Sequence, residues 1–319
     1  MTITPVVGPT SQVRTTPYLS VPLFQSMRRG VNLSQLVPQG EADEQDAELG
    51  RYIESASAEA DSFCLQTLVA TSDTVIGRVN VNRQGYAVIH PRFRPVIGLN
   101  SFAWGSPGNI QAVQSLAAVE VEPNRFTVPL GSAGLLTTSS AGPIQFGTAA
   151  GPMDQVWVQY TYTNGYPHTV ITAPLTGGSN VAIPVADTTG IVAGHTWLTI
   201  YPGTVAGGSK VSFYAGTVST APSGGLGTGP GTVICPVLPQ DVPYDPQFPV
   251  MISALPSDFI EAIARLTRAA IKSSGGGSVT AGSISAGGGA VAADPYGGDM
   301  DRATAFQMLK AYMVPVEYT

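Results

Sequence analysis

Three histidines and two cysteines are the residues with which this 319-residue chain could hold a metal ion or attack an electrophile. A metal site needs several such ligands at short spacing or gathered by the fold. His90, His168 and His195 each stand without a second histidine or a cysteine at ligand spacing, and they read as strand-end or loop residues. Cys64 falls on the apolar side of a helical pattern, where a thiol behaves as a small core residue rather than an activated nucleophile. Cys235 lies far from it in a different kind of segment, so the two read as buried free thiols. Glu120-Val121-Glu122 puts two carboxylates on one face of a strand, as a general acid and base would require. The simpler reading is the solvent face of an alternating strand whose other face carries Val119 and Val121. GGLGTGPG (224–231) is glycine-rich like a phosphate loop, but it lacks the G-x-G-x-x-G spacing, a following GK[ST] and a helix to open. Asn32-Leu33-Ser34 matches a glycosylation sequon in form only. Arg28-Arg29 and Arg92 with Arg94 concentrate positive charge, fit for salt bridges between subunits or for contact with DNA phosphate. No catalytic, cofactor-binding or metal-ligating residue is expected, and the chain reads as non-enzymatic with no cofactor.

Composition narrows the classes further. Hydrophobic residues make up 43% of the chain, enough for buried cores, while charged residues are only 11% against 37 glycines and 26 prolines. Such a surface is either neutral and polar or covered by neighbours. A net charge of −6 with three lysines (Lys210, Lys272, Lys310) speaks against a protein that grips phosphate. It is compatible with a wall along which DNA slides without sticking. The N-terminus lacks the basic and apolar regions of a signal peptide, and no apolar run approaches the roughly 18 residues of a membrane helix, so a soluble intracellular product is expected.

The elements that position these residues follow from periodicity. Residues 1–17 are polar and broken by Pro5, Pro9 and Pro17, an arm that orders against something else. Ser20 can cap a short helix over about 20–28, with Pro22 in its first turn. Asp43 or Asp46 can cap the next segment, where Leu49, Ile53, Ala56, Ala60, Phe63 and Thr67 or Leu68 recur at helical spacing; its alanines permit close approach of another helix. From Thr74 the period changes to two. VIGRVNVNRQGYAVIHP reads as a hairpin turning near Arg83, Gln84 and Gly85; PVIGLNSFAW, AAVEVEPNRFTVPL and QVWVQYTYTNGY read as strands. GSAGLLTTSSAGPIQFGTAAG (131–151) reads as a loop. About 85 residues without helical pattern follow, with strands around Asp187, Thr188, Thr189 and Gly190 and again in KVSFYAGTV and GTVICPVLP. LPSDFIEAIARLTRAAIK (255–272) is helical with Phe259, Ile263, Leu266 and Ala270 on one face. SSGGGSVTAGSISAGGGAVA (273–292) is a flexible linker with a relaxed span of roughly 25 Å. DMDRATAFQMLKAYMV (299–314) carries Phe306, Leu309 and Met313 on one stripe. A terminal helix on such a tether is placed to reach a neighbour.

The order of these elements resembles the head-to-tail adaptor (head completion, or connector) proteins of long-tailed bacteriophages. The patches that carry the resemblance are YLSVPLFQS, the long helix ending in FCLQTL, RPVIGLNS, QVWVQYTYTNGYP and LPSDFIEAIARLTRAAI. In that family a strand ending in a similar turn passes almost directly, through a proline, into the next helix. Here Pro167 and Leu255 are separated by the β-rich block, which reads as a domain inserted at a loop. The fold expected is therefore α+β: a helical adaptor body with β-strands between its helices and an inserted small β-sandwich or barrel-like domain. The expected divisions are an N-terminal arm and short helix (1–42), the first part of the body (43–171), the insertion (172–251), a body helix (252–272), a Gly/Ser-rich linker (273–298) and a C-terminal docking helix (299–319). The resemblance implies a structural virion protein of the neck, assembled in the host cytoplasm. It would form a homo-oligomeric ring, typically a dodecamer, beneath the portal, extending the DNA channel and presenting its other face to a stopper or tail-completion protein. DNA would pass without sequence-specific binding, and no membrane is involved. Leu49, Ile53, Ala56, Ala60, Phe63, Phe259, Ile263 and Leu266 would pack the helical ring wall. Phe306, Leu309, Tyr312 and Met313 would meet the portal or a neighbour, so that deleting residues 293–319 weakens portal binding and leaves the subunit folded. The rival readings are a capsid decoration or minor head protein, and a β-module for host-surface glycans.

Overall fold

The structure, a computed structural model, describes residues 14–27, 31, 33, 36–82, 85–106, 109–113, 115–130, 136–138, 142–144, 155–201, 210–220, 229–246, 249–273 and 298–314. Arg28-Arg29, Asn32 and Ser34 of the sequon, the arm before Arg14 and nearly all of the Gly/Ser-rich linker lie outside them. The fold is α+β, with antiparallel strands in several sheets. The chain divides into two compact units.

One unit spans residues 70–165. It contains β1 (Thr71–Asn80), β2 (Tyr86–Ile89), β3 (Val96–Ser106), β4 (Asn109–Val113), β5 (Glu120–Glu122), β6 (Arg125–Pro129), β7 (Leu136–Thr138), β8 (Gly142–Ile144) and β9 (Gln155–Asn164). Two sheets, β1-β9-β3-β4 and β2-β6-β5, enclose its core, and β7 pairs with β8 as a ribbon inside the stretch expected to be loop. Alternation dictates which side chains enter the core: Ala87 and Ile89, Phe126 and Val128, and Val156, Val158, Tyr160 and Tyr162 sit two apart and are buried. The expected hairpin of β1 with β2 is corrected. A tight turn exists, with the Gly85 N–H bonded to the Asn82 carbonyl at 2.9 Å and Gly85 at φ 82°. Beyond the bridge Val81↔Ala87 and the Asn82 N–H bond to the Tyr86 carbonyl at 2.9 Å, the ladder partner of β1 is β9, from Thr71↔Asn164 to Asn80↔Gln155, and that of β2 is β6.

The other unit gathers residues 14–69 with the chain from Tyr166 to its end, the described residues 229 onward included. Its elements are α1 (Val21–Met27), α2 (Ala42–Cys64), β10 (His168–Val170), β11 (Gly178–Val185), β12 (Trp197–Tyr201), β13 (Val211–Tyr214), β14 (Val218–Thr220), β15 (Gly231–Leu238), β16 (Met251–Ser253), α3 (Ser257–Ser273) and α4 (Asp299–Leu309). Ser20 caps α1 as expected, its hydroxyl accepting from the Leu23 N–H at 3.3 Å. The cap of α2 is neither Asp43 nor Asp46. Glu41 takes that position, and its N–H donates to the Glu44 side chain at 3.1 Å, half of a capping box; Asp46 instead accepts from Gln25 Nε2 at 2.5 Å. The expected stripe of α2 is buried, with Gln45, Ser57 and Cys64 added to it. α3 is buried on more sides than its one predicted face: Ile260, Ala262, Ala264, Thr267, Ala269 and Ile271 are covered too. Ala270, expected on the buried face, is only partly covered, and the charged side of α3 carries Glu261 and Arg265, which pair at 3.0 Å, and Lys272.

The sheets β10-β16-β12-β13 and β11-β15-β14 close over a second core that includes Ile171, Ile183, Val185, Leu198, Ile200, Phe213, Val233, Cys235 and Ile252. An insertion over 172–251, a small sandwich or barrel, is the expectation for this stretch; the two sheets and their shared core extend beyond those bounds. Ile171 and Ile252 belong to that core, and β10 and β16 lie in one sheet with β12 and β13. The opposite side of that sheet, carrying Tyr201, Met251 and the partly buried Val170, packs into the core of the helices. The strands 71–164, expected in one body with the long helix, form the separate unit instead.

Candidate interaction surface

The eight residues expected to pack a helical wall come together in one core. Leu49, Ile53, Ala56, Ala60, Phe259, Ile263 and Leu266 are buried there, and Phe63 is partly buried against it. The outer side of α2 is left to Asp43, Glu44, Arg51 and Glu54, all exposed, with Arg51 bridging to Glu48 at 2.9 Å.

The four C-terminal residues expected to meet a portal are occupied differently. Leu309 is fully buried in the chain's own core together with Ala305. Phe306 stacks on Phe63 with centroids 4.5 Å apart. The Tyr312 hydroxyl donates to Asp258 at 2.7 Å, and the Tyr312 carbonyl accepts from Gln66 Nε2 at the same distance. The backbone continues this docking: the Val314 N–H donates to the Cys64 carbonyl at 3.0 Å. Lys272 and Asp301 pair at 3.0 Å, and Arg302 and Glu59 likewise. Gly298, at φ 90°, brings the chain so close to α3 that a Cβ there would lie 2.8 Å from the Ala269 Cα. The helix expected to reach a neighbour is thus docked on α2 and α3 of its own chain, because its apolar stripe matches theirs. Met300 and Met313 remain exposed, at 68% and 36%.

A polar cluster that sequence reasoning missed clamps the segment 14–19. Arg14 forks onto Glu54 at 2.6 and 3.0 Å and reaches Asp61 at 3.1 Å, with its guanidinium over the Tyr18 ring at 5.1 Å. The Tyr18 hydroxyl donates to Asp61 and accepts from the Leu68 N–H at 2.8 Å. His168 Nε2 donates to the Pro17 carbonyl at 2.9 Å, which leaves Nδ1 to accept from the Ser253 hydroxyl at 3.0 Å. Burial pushes the Tyr18 phenol far above its ordinary range, raises Asp61 despite its donors, and lowers His168 to about 4. A tyrosine that keeps its proton and a histidine that stays neutral are poor partners for proton transfer. They suit a fixed clamp. Its hydrogen bonds span 40 to 151 positions in sequence, so no local motif reveals it.

The other residues considered for chemistry are dispersed. Burial pushes the Cys64 thiol up to about 12, and its Sγ lies 3.9 Å from the Leu309 carbonyl, as befits packing. Cys235 is also buried, free and shifted upward. His90 and His195 are exposed. Glu122 pairs with Arg125 at 2.8 Å, while Glu120 borders a cleft of about 450 Å³ with Asn82, Tyr86, Ala118, Thr127 and Pro129. Val121, expected on a buried face, is exposed because β5 is an edge strand. Arg92 lies over the Phe93 ring at 5.4 Å, and Arg94 Nε donates to the Pro91 carbonyl at 3.2 Å. Asp187 is consumed by its loop, accepting from the Thr189 N–H and hydroxyl and from the Gly229 N–H at 3.0, 2.7 and 2.9 Å. Among the described residues no group of three or more His, Cys, Asp or Glu side chains is placed to share a metal ion, and no helix is long and apolar enough to cross a membrane. The surface features are an acidic helix face, two exposed methionines and, on β12 and β13, the exposed Trp197 and Tyr214. Compared with known proteins, the chain matches no family model, no curated protein and no solved structure.

Proposed function

We propose that the chain is a structural virion protein, a head-to-tail adaptor that assembles with copies of itself into a ring beneath the portal. The ring, twelvefold by the resemblance, extends the DNA channel and offers its other face to a stopper or tail-completion protein. The role is non-enzymatic, needs no cofactor, and belongs to the virion neck, assembled in the host cytoplasm. The observation that carries this reading is the two-sided character of α2. Its small-residue stripe is packed against the other helices, while Asp43 and Glu44 at its start stay exposed; further along, Glu54 is held by Arg14. Proteins that hold DNA release counterions from phosphate with Lys and Arg; a channel lined by the reverse charge lets the duplex slide. A surface with few charges suits heterologous contacts that close by rotation. The portal contact belongs on the side of the C-terminal segment that its own core leaves open, at Met300 and Met313, rather than at the buried Leu309. Mass photometry and negative-stain microscopy of the purified full chain test the reading. A twelvefold ring with a central hole is expected; a trimer or a monomer at all concentrations overturns it.

A further inference from the structure

The sheet β10-β16-β12-β13 changes character along one face. Toward β16 that face is covered, Tyr201 and Met251 entering the helical core. Two positions on from Tyr201 come Thr199 and then Trp197, and on the neighbouring strand Ser212 and Tyr214 stand opposite them, in the register Thr199↔Ser212 and Trp197↔Tyr214. Trp197 and Tyr214 are exposed at 50% and 56%, with ring centroids 4.6 Å apart and planes at 70°. The Thr199 and Ser212 hydroxyls hydrogen-bond each other at 2.9 Å beside them. Single exposed apolar residues are ordinary, but an aromatic pair edged by hydroxyls on one sheet face is a built surface.

We propose that this aromatic and hydroxyl surface binds a neutral saccharide, the Trp197 ring taking the C–H face of a sugar, the Tyr214 ring, at 70° to it, forming a side wall, and the Thr199 and Ser212 hydroxyls meeting its O–H groups. Charge selects the ligand class. Neither WLTIY (β12) nor VSFY (β13) contains an ionisable residue other than tyrosine, so an anionic or cationic ligand meets no counter-charge on either strand. Lys210, just before β13, holds its ammonium over the Tyr201 ring at 5.1 Å. Stacking of nucleobases would leave their phosphates without the basic groove that single-strand binders supply. Size selects against a protein partner. An aromatic side chain contributes about 150–250 Å², so two half-exposed rings offer on the order of 200 Å², about a quarter of what each partner gives to a stable protein interface. That is the scale of a sugar ring.

The inference stands apart from the adaptor reading, and its test does not depend on ring formation. The full chain is titrated with a panel of neutral mono- and oligosaccharides of glucose, galactose, mannose and N-acetylhexosamines, followed by ligand-detected saturation-transfer NMR. At least one sugar should bind. Trp197→Ala should weaken that binding at least tenfold and Tyr214→Ala several-fold, while Trp197→Phe retains most of it. Both rings are exposed, so unchanged circular dichroism and melting should accompany the loss. Failure of every sugar on the panel overturns the proposal, as does binding that Trp197→Ala leaves intact. A change in oligomeric mass on Trp197→Ala without any sugar response assigns the patch to a second copy of the chain and overturns it too.

Discussion

His168 illustrates how one buried side chain can tie stability to pH. Both ring nitrogens are in use, one donating to the Pro17 carbonyl and one accepting from the Ser253 hydroxyl, and the site is desolvated, so the folded protein holds the imidazole neutral down to about pH 4. In the unfolded chain the same ring takes its proton near 6.5. Between those values the unfolded state binds a proton that the native state refuses, so stability falls as pH drops from about 6.5 to about 4 and the effect levels off below. The difference of 2.5 units corresponds to on the order of 3 kcal/mol. Asp61 works the other way, because its raised carboxyl favours the native state as it protonates, so the wild-type slope is a sum. His168→Gln isolates the histidine: Gln keeps a donor for Pro17 and cannot titrate. Urea unfolding of both proteins from pH 7 to pH 4 should show the wild type losing stability relative to the variant across that window; parallel curves would remove the histidine from the account.

Among the elements, α4 carries the sharpest difference between pattern and structure. Its stripe was read as a docking face on a tether, and the docking partner is α2 and α3 of the same chain, with Leu309 fully buried, Phe306 stacked on Phe63 and Val314 bonded to the Cys64 carbonyl. Leu309→Ala should therefore cost about 2–5 kcal/mol, as truncation of a buried leucine does. Removal of residues 293–319, expected from sequence to leave a folded subunit, should lower the melting temperature sharply and expose dye-binding apolar surface. A truncated protein that melts like the full chain would show that α4 adds nothing to the core. The physical reason for the difference is that an apolar stripe states that a helix has a partner and says nothing about whose chain supplies it. What was legible is what local pattern encodes. The α2 stripe from Leu49 to Ala60, the Ser20 cap, the alternation in β9 and the strands without helical pattern from β11 to β15 stand where local pattern places them. What was not legible depends on long-range pairing. Beyond the turn at Gly85, β1 takes β9 and β2 takes β6 as ladder partners, and Trp197 meets Tyr214 only once β12 and β13 are in register. The clamp on segment 14–19 joins Arg14, Glu54, Asp61 and His168 across distances in sequence that no motif spans.

For the molecule as a whole, the consequence lies in the sheet β10-β16-β12-β13, which has the sandwich core on one face and the helical core on the other. Ile200 and Ile252 look one way, Tyr201 and Met251 the other. Neither core can be opened without stripping a face from the strands that the second core needs, so the two form a single cooperative opening unit despite their different secondary structure. Native-state hydrogen exchange should find the amides of Val233 and Cys235 in β15 opening with the same free energy and urea dependence as those of Ile263 and Leu266 in α3. Sandwich amides that exchange through a cheaper opening, with α3 still protected, would break the unit in two. A fragment cut at 172 and 251 would lack β10 and β16 and begin life with an unpaired edge. Whatever the sandwich holds on its outer face, strain applied there is shared at once with the helices, which makes this sheet the part of the subunit through which a load would pass.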